Sequence, residues 1–81
     1  MNILIAEKTT EGQYTSLTII VETRKINILQ APGYVNVKVN NASQIAWKGF
    51  GKDFQTFEQA IENYKDVKVK AAIHAAQIEL N

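Results

Sequence analysis

The residues that could do chemistry are few and scattered. Gly49-Phe50-Gly51-Lys52 sets two glycines and a lysine ahead of a helix start at Thr56. Glycines let backbone N–H groups converge on an anion, a helix start adds positive potential, and lysine adds charge. Trp47 or Phe50 could stack a base there. The segment lacks the longer glycine spacing and the Lys-Ser/Thr ending of a P-loop, and Thr56 lies several residues beyond Lys52. The plainer reading is a strand exit relaxed by glycine, with Trp47, Phe54 and Phe57 in the core. His74 is the only imidazole; its helical neighbours are Lys70, Ala71, Gln77 and Ile78, which supply neither a metal-ligand set nor an orienting partner for a general base. Glu58, Glu62 and Asp66 recur every four residues, yet Lys65 lies three from Glu62 and Lys70 four from Asp66. That spacing reads as a solvated stripe with neutralising pairs. No catalytic, cofactor-binding or metal-binding residue is assigned, and no cofactor.

A second constellation is basic and aromatic. Lys8, Arg24, Lys25, Lys38 and Lys48 fall among Tyr14, Tyr34 and Trp47. Binders of single-stranded nucleic acid combine such groups on a sheet, through backbone attraction and base stacking. Against that use stands a net charge of only +1, from nine basic and eight acidic side chains. A nucleic-acid footprint normally shows a clear positive excess.

Eighty-one residues bound one domain. So short a chain buries only about 60% of its unfolded surface, which leaves its own core marginal. With no cysteine and one histidine, disulfides and metals give little help, so internal packing, self-association or a partner must supply the rest. The opening Met1-Asn2-Ile3-Leu4-Ile5-Ala6-Glu7 has neither the basic leader nor the apolar length of a signal peptide or membrane span. A cytoplasmic protein is expected.

The elements that must position these groups follow from periodicity. Before Trp47–Phe57 the apolar residues recur mostly every second position, and after it every third or fourth. Strands are expected over about 2–8, Thr15–Glu22, Ile26–Gln30 and Tyr34–Asn40. A loop over Thr9–Gln13, a polar break at Thr23-Arg24-Lys25 and a Pro32-Gly33 turn separate them. Val35, Val37 and Val39 should face the core while Tyr34, Asn36, Lys38 and Asn40 face out. Asn40-Asn41 suits a tight turn into a short fifth strand carrying Ile45, Trp47 and Gly49. Thr56 and Gln59 form a capping box for a helix with Phe57, Ala60, Ile61 and Tyr64 inward, Glu58 in its first turn and Lys65 in its last. Asp66 caps a second helix over about Val67–Leu80, with Val69, Ala72, Ile73, Ala76 and Leu80 inward and Lys70, His74, Gln77 and Asn81 outward.

The expected architecture is α+β: an antiparallel meander of four to five strands over residues 1–50, followed by two C-terminal helices over 55–80 packed on one sheet face. Leu4, Ile20 and Leu29 would then fall on the other face, near Tyr14 or Tyr34. In layout a meander followed by helices resembles small single-stranded-DNA-binding coactivator domains. The size, the lack of cysteine and the element order are also similar to many small phage or prophage proteins, some of which, including inhibitors of CRISPR effectors, cover a host protein's surface. The function expected is a non-enzymatic binding module, a homodimer with a protein partner and no membrane association. Its contact surface is expected at Ile20, Arg24, Tyr34 and Lys38, or on the Trp47–Lys52 segment through Trp47, Lys48, Phe50 and Lys52. The alternative is binding of single-stranded nucleic acid or a nucleotide through that segment.

Overall fold

A computed structural model describes residues 1–80. Four long strands come first: β1 (Ile3–Glu11), β2 (Tyr14–Val21), β3 (Arg24–Ala31) and β4 (Tyr34–Asn41). A short β5 (Lys52–Phe54) and two helices, α1 (Phe57–Asn63) and α2 (Val67–Leu80), complete the chain. The sheet is a simple antiparallel meander, β1-β2-β3-β4-β5. The first three connections are two-residue turns, so β2, β3 and β4 start at Tyr14, Arg24 and Tyr34, ten residues apart. Gly12 and Gly33 take the positive φ that such turns require, and in the middle turn Glu22 takes φ 54° without being glycine.

Alternation decides the faces. Leu17, Ile19 and Val21 of β2, Ile26 and Ile28 of β3, and Val35 and Val37 of β4 are buried on one side. Register places Ile19 against Ile26 and Ile26 against Val39, so these rows line up across the sheet. Onto them pack Phe57 and Ala60 of α1 and Val69, Ala72, Ile73 and Ala76 of α2, with Val39, Phe54, Ile61, Tyr64, Ala75 and Leu80 at the margin. The small alanines let α2 approach the valine- and isoleucine-rich sheet closely. At the start of α1, Thr56 Oγ1 accepts from Gln59 N (3.1 Å) as the expected capping box requires, while Gln59 Oε1 accepts from Gln55 N (3.0 Å), one residue before the cap. Asp66 caps α2 by accepting from Lys68 N at 2.8 Å.

Several expectations need correction. β1 runs to Glu11 and its turn is only Gly12-Gln13, because Thr10 and Thr15 pair directly. Arg24 and Lys25 belong to β3. Residue 64 is the C-cap of α1, so Lys65 lies past its last turn. Asp66 pairs with Arg24 (3.1 Å) across 42 residues of sequence, where a local pair with Lys70 was expected. Asn81, expected on the outward side of α2, lies outside the described residues.

The largest departure is the fifth strand. Ile45, Trp47 and Gly49 sit in an irregular segment, and β5 forms later, with Lys52, Asp53 and Phe54 opposite Val37, Asn36 and Val35. The chain returns to β4 by crossing close over it at Gly51, which has φ 77°. A Cβ on Gly51 would fall 2.6 Å from the Val37 carbonyl oxygen and 2.8 Å from Asn36 Oδ1. No such contact awaits a Cβ on Gly12. Gly12→Ala is therefore expected to cost about 1–2 kcal/mol, the strain of the left-handed backbone alone. Gly51→Ala should cost at least about 1 kcal/mol more, since a backbone carbonyl cannot step aside as a side chain can. Urea unfolding of the two variants measures the difference.

Candidate functional site

The face of the sheet away from the helices carries several of the residues singled out in the sequence, Tyr14, Lys25, Tyr34 and Lys38 among them. Register arranges it in rows. Leu4, Ile20, Lys25 and Asn40 lie side by side, then Thr18, Asn27 and Lys38, then Thr9, Ser16, Leu29, Asn36 and Asp53. Asn27 Nδ2 ties the middle rows together through Ser16 Oγ (3.0 Å) and the Leu17 carbonyl (3.2 Å).

Segment 42–51 folds back over the β4 side of this face. Asn40 Nδ2 donates to the Ala46 carbonyl at 2.7 Å, and Asn40 Oδ1 accepts from Lys48 N at 3.4 Å. Asn36 Nδ2 donates to the Phe50 carbonyl at 2.9 Å and to Asp53 Oδ1 at 2.8 Å. Lys25 Nζ donates to the Gln44 carbonyl and stands 4.8 Å from the centre of the Trp47 ring. Asn36 and Asn40 are thereby buried, although alternation alone would leave them in water. Asn36 Oδ1 is buried beneath Gly51 with no hydrogen-bond donor. Between these anchors the loop holds two large apolar side chains outward: Ile45 is 97% exposed and Phe50 92%.

The expected contact residues do not form one cluster. Tyr34 lies on the open face, edge-on to Tyr14 at 6.4 Å, and donates to Asp53 Oδ1 at 3.0 Å. Lys38 is half-buried in the middle row, opposite Asn27. Trp47 is half-buried beside Lys25, not in the core, while Lys48 and Phe50 are exposed. Lys52 falls on the helix side, its Nζ 5.8 Å from the Tyr64 ring. Arg24 is also directed away, bonding Asp66 at the start of α2 and Asn41 Oδ1. Its role is to join sheet to helix. Ile45 escaped the sequence reading because strand periodicity set it beside Trp47; its neighbours Gln44 and Ala46 give no signal that it stands free.

The phosphate reading of Gly49–Lys52 loses its geometry. β5 separates Lys52 from α1, and at the start of that helix Thr56 Oγ1 already takes the Gln59 N–H. His74 is exposed on α2. Among the described residues no group of three or more His, Cys, Asp or Glu is placed to hold a metal ion. No helix there is long and apolar enough to cross a membrane. A shallow open depression at the end of the sheet is lined by Glu22, Thr23, Asn41, Ala42 and Ser43, none of them expected site residues. Comparison of the chain with protein-family models, with curated proteins and with solved structures finds no match.

Two measurements test the loop anchorage. The Asp53 carboxyl is held below the usual carboxylate range, chiefly by the hydrogen bond from Asn36 and then by that from Tyr34, against a smaller opposing effect of burial. A depressed carboxyl stabilises the fold above its unfolded pKa, and that contribution disappears as pH falls through the folded value. In an NMR titration Asp53 should therefore titrate below the usual aspartate range, and Asn36→Ala should move it up. Asn40→Ala removes a buried partner of the loop backbone and should cost about 1–3 kcal/mol. Amide exchange over residues 44–50 should accelerate with it, while exchange in β2 and β3 follows only the global loss.

Proposed function

We propose that the protein is a non-enzymatic binding module that grips a protein partner with segment 42–51. The observation that carries this reading is the pairing of a fastened backbone with outward apolar side chains. Ile45 and Phe50 are the two most exposed large hydrophobic residues among those described, and the loop that bears them is tied down by Asn36 and Asn40. Burying a large apolar side chain contributes about 1.5–3 kcal/mol, and a loop already ordered loses little further freedom on binding. An exposed aromatic on a fixed backbone has the character of an interface anchor.

Charge describes the partner. Residues 42–51 contain Lys48 and no acidic side chain, and Lys25 lies under the loop. A complementary surface would offer apolar pockets for Ile45 and Phe50 inside an acidic rim. Covering a partner's surface in this way is also the mode of some of the small phage proteins that the chain is similar to in layout. Single-stranded nucleic acid is the weaker reading. Asp53, Glu7 and Glu11 share the open face with Lys25 and Lys38, Tyr34 is engaged with Asp53, and Lys52 is on the other side of the sheet.

The test compares affinity capture from cells of the source organism by the wild-type chain and by the double variant Ile45→Ser, Phe50→Ser. Both side chains are exposed, so the variant should keep the wild-type unfolding free energy within about 0.5 kcal/mol. Loss of the captured protein only in the variant is the expected result. A partner retained by the variant would place the contact elsewhere. A salt-sensitive change of Trp47 fluorescence on adding single-stranded oligonucleotide would favour the nucleic-acid reading instead.

A further inference from the structure

The two edges of the sheet are finished differently. On the far side the edge is only the three-residue β5, and the 42–51 loop lies over the face of β4 beside it. On the near side β1 is an edge strand, and all nine of its residues are exposed. An open edge offers unpaired N–H and C=O groups to any other strand, and proteins commonly guard such edges with charges, bulges or covering segments. Half of β1 is guarded in this way. Its register with β2 slips between Ile5 and Glu7, Glu7 and Lys8 follow, and Lys8 bonds Glu79 of α2 at 3.1 Å. The other half, Ile3-Leu4-Ile5, carries no charge and no proline, and stands 45%, 59% and 37% exposed.

We propose that this unguarded half is the pairing edge for a second copy of the chain, antiparallel and with Leu4 on the two-fold axis. Register selects that arrangement. Residues directly opposite one another in an antiparallel pair project from the same face. Centring the axis on Leu4 sets Leu4 against Leu4, and Ile3 of each copy against Ile5 of the other. Over these three pairs every contact is then apolar on both faces. Moving the axis to Lys8 sets lysine against lysine, and moving it to Thr9 sets Glu7 against Glu11.

The flanking rows continue the match. Within one copy Ile3 lies beside Val21, Leu4 beside Ile20, and Ile5 beside Ile19. On the helix side, the row Val21–Ile3 of one copy would run into Ile5–Ile19 of the other, joining the two cores. On the open side Ile20 and Leu4 would meet Leu4 and Ile20. An isologous contact of this kind uses the same edge on both copies and so uses it up, and the pairing closes at two. The pairing is short, which puts it among weak, reversible interfaces.

Two experiments test the proposal on the whole chain. Sedimentation from about 10 μM to about 1 mM brackets a weak association of this class. The wild type should pass from monomer to dimer in that range, and Leu4→Lys should raise the dissociation constant at least tenfold while keeping the fold, since Leu4 is more than half exposed. A wild type that remains monomeric throughout, or a dimer indifferent to Leu4→Lys, overturns the proposal; a dimer lost instead with Phe50→Ser would assign self-association to the loop. The second uses the absence of native cysteine. Leu4→Cys sets one thiol against its own copy across the axis and should give a covalent dimer under mild oxidation, whereas Thr10→Cys should remain monomeric. Equal cross-linking of the two variants overturns the register.

Discussion

The side-chain amides of Asn36 and Asn40 hold the one arrangement on which the outer half of this molecule depends. Both project from β4 away from the helices, into what would otherwise be water. An asparagine there can donate to a passing carbonyl and accept from a passing N–H on a stem too short to swing. Asn40 does both, to Ala46 and Lys48, while Asn36 reaches the Phe50 carbonyl and Asp53. A backbone segment without regular structure can lie against a sheet only where its polar groups find such partners. Gly51 completes the crossing, since the backbone passes β4 too closely for any side chain. β4 is consequently covered on both faces, and the three-residue β5 becomes the sheet's edge on that side.

The helix side rests on a different balance. Its contacts are apolar and made by small or branched residues, with Ala60, Ala72 and Ala76 letting the helices sit low on Leu17, Ile19, Ile26 and Ile28. Polar groups work at the ends of that layer. Arg24 reaches from the first residue of β3 to Asp66, which also caps α2, so one carboxylate fixes the start of the helix and its seat on the sheet. The hydrogen bonds to Lys68, Val69 and Arg24 hold that carboxyl below its ordinary range even though burial acts to raise it. Lys68, bridged to Glu22 at 3.6 Å, repeats the tie at the β2–β3 turn. The centre of the layer is held by area and its rim by charge.

How much of this could be read in advance depended on whether the signal was local. Val35, Val37 and Val39 announced their face by alternation, and Thr56 with Gln59 announced the first helix, because both patterns express contacts within a few residues. The meander order followed from turns that carry their own chemistry at Gly12 and Pro32-Gly33. The middle turn was obscure because Glu22 adopts a left-handed conformation that its residue type does not advertise. Segment 42–51 was misread for a deeper reason. Ile45, Trp47 and Gly49 alternate as a strand would, but what decides their course is the pull of two asparagines already committed to β4. Arg24 was likewise placed among contact residues, since nothing nearby in sequence points to Asp66. Long-range polar contacts leave no periodic trace, and here they shape the candidate site more than the core.

That segment is also where the chain is least economical, and the excess bears on function. The first three strand connections use two residues each, whereas ten separate β4 from β5. If the aim were only to add a fifth strand, a tight turn after Asn41 would serve. The longer route requires a glycine at φ 77° against β4, two buried amides, and an amide oxygen with no donor. Each of these is unfavourable or demanding by itself, and none adds to the apolar core, because Ile45 and Phe50 end up in water. A fold this small has little stability to spare. Holding two large hydrophobic side chains in solvent on an ordered backbone makes physical sense when another surface covers them, and on that constraint the proposed binding role rests.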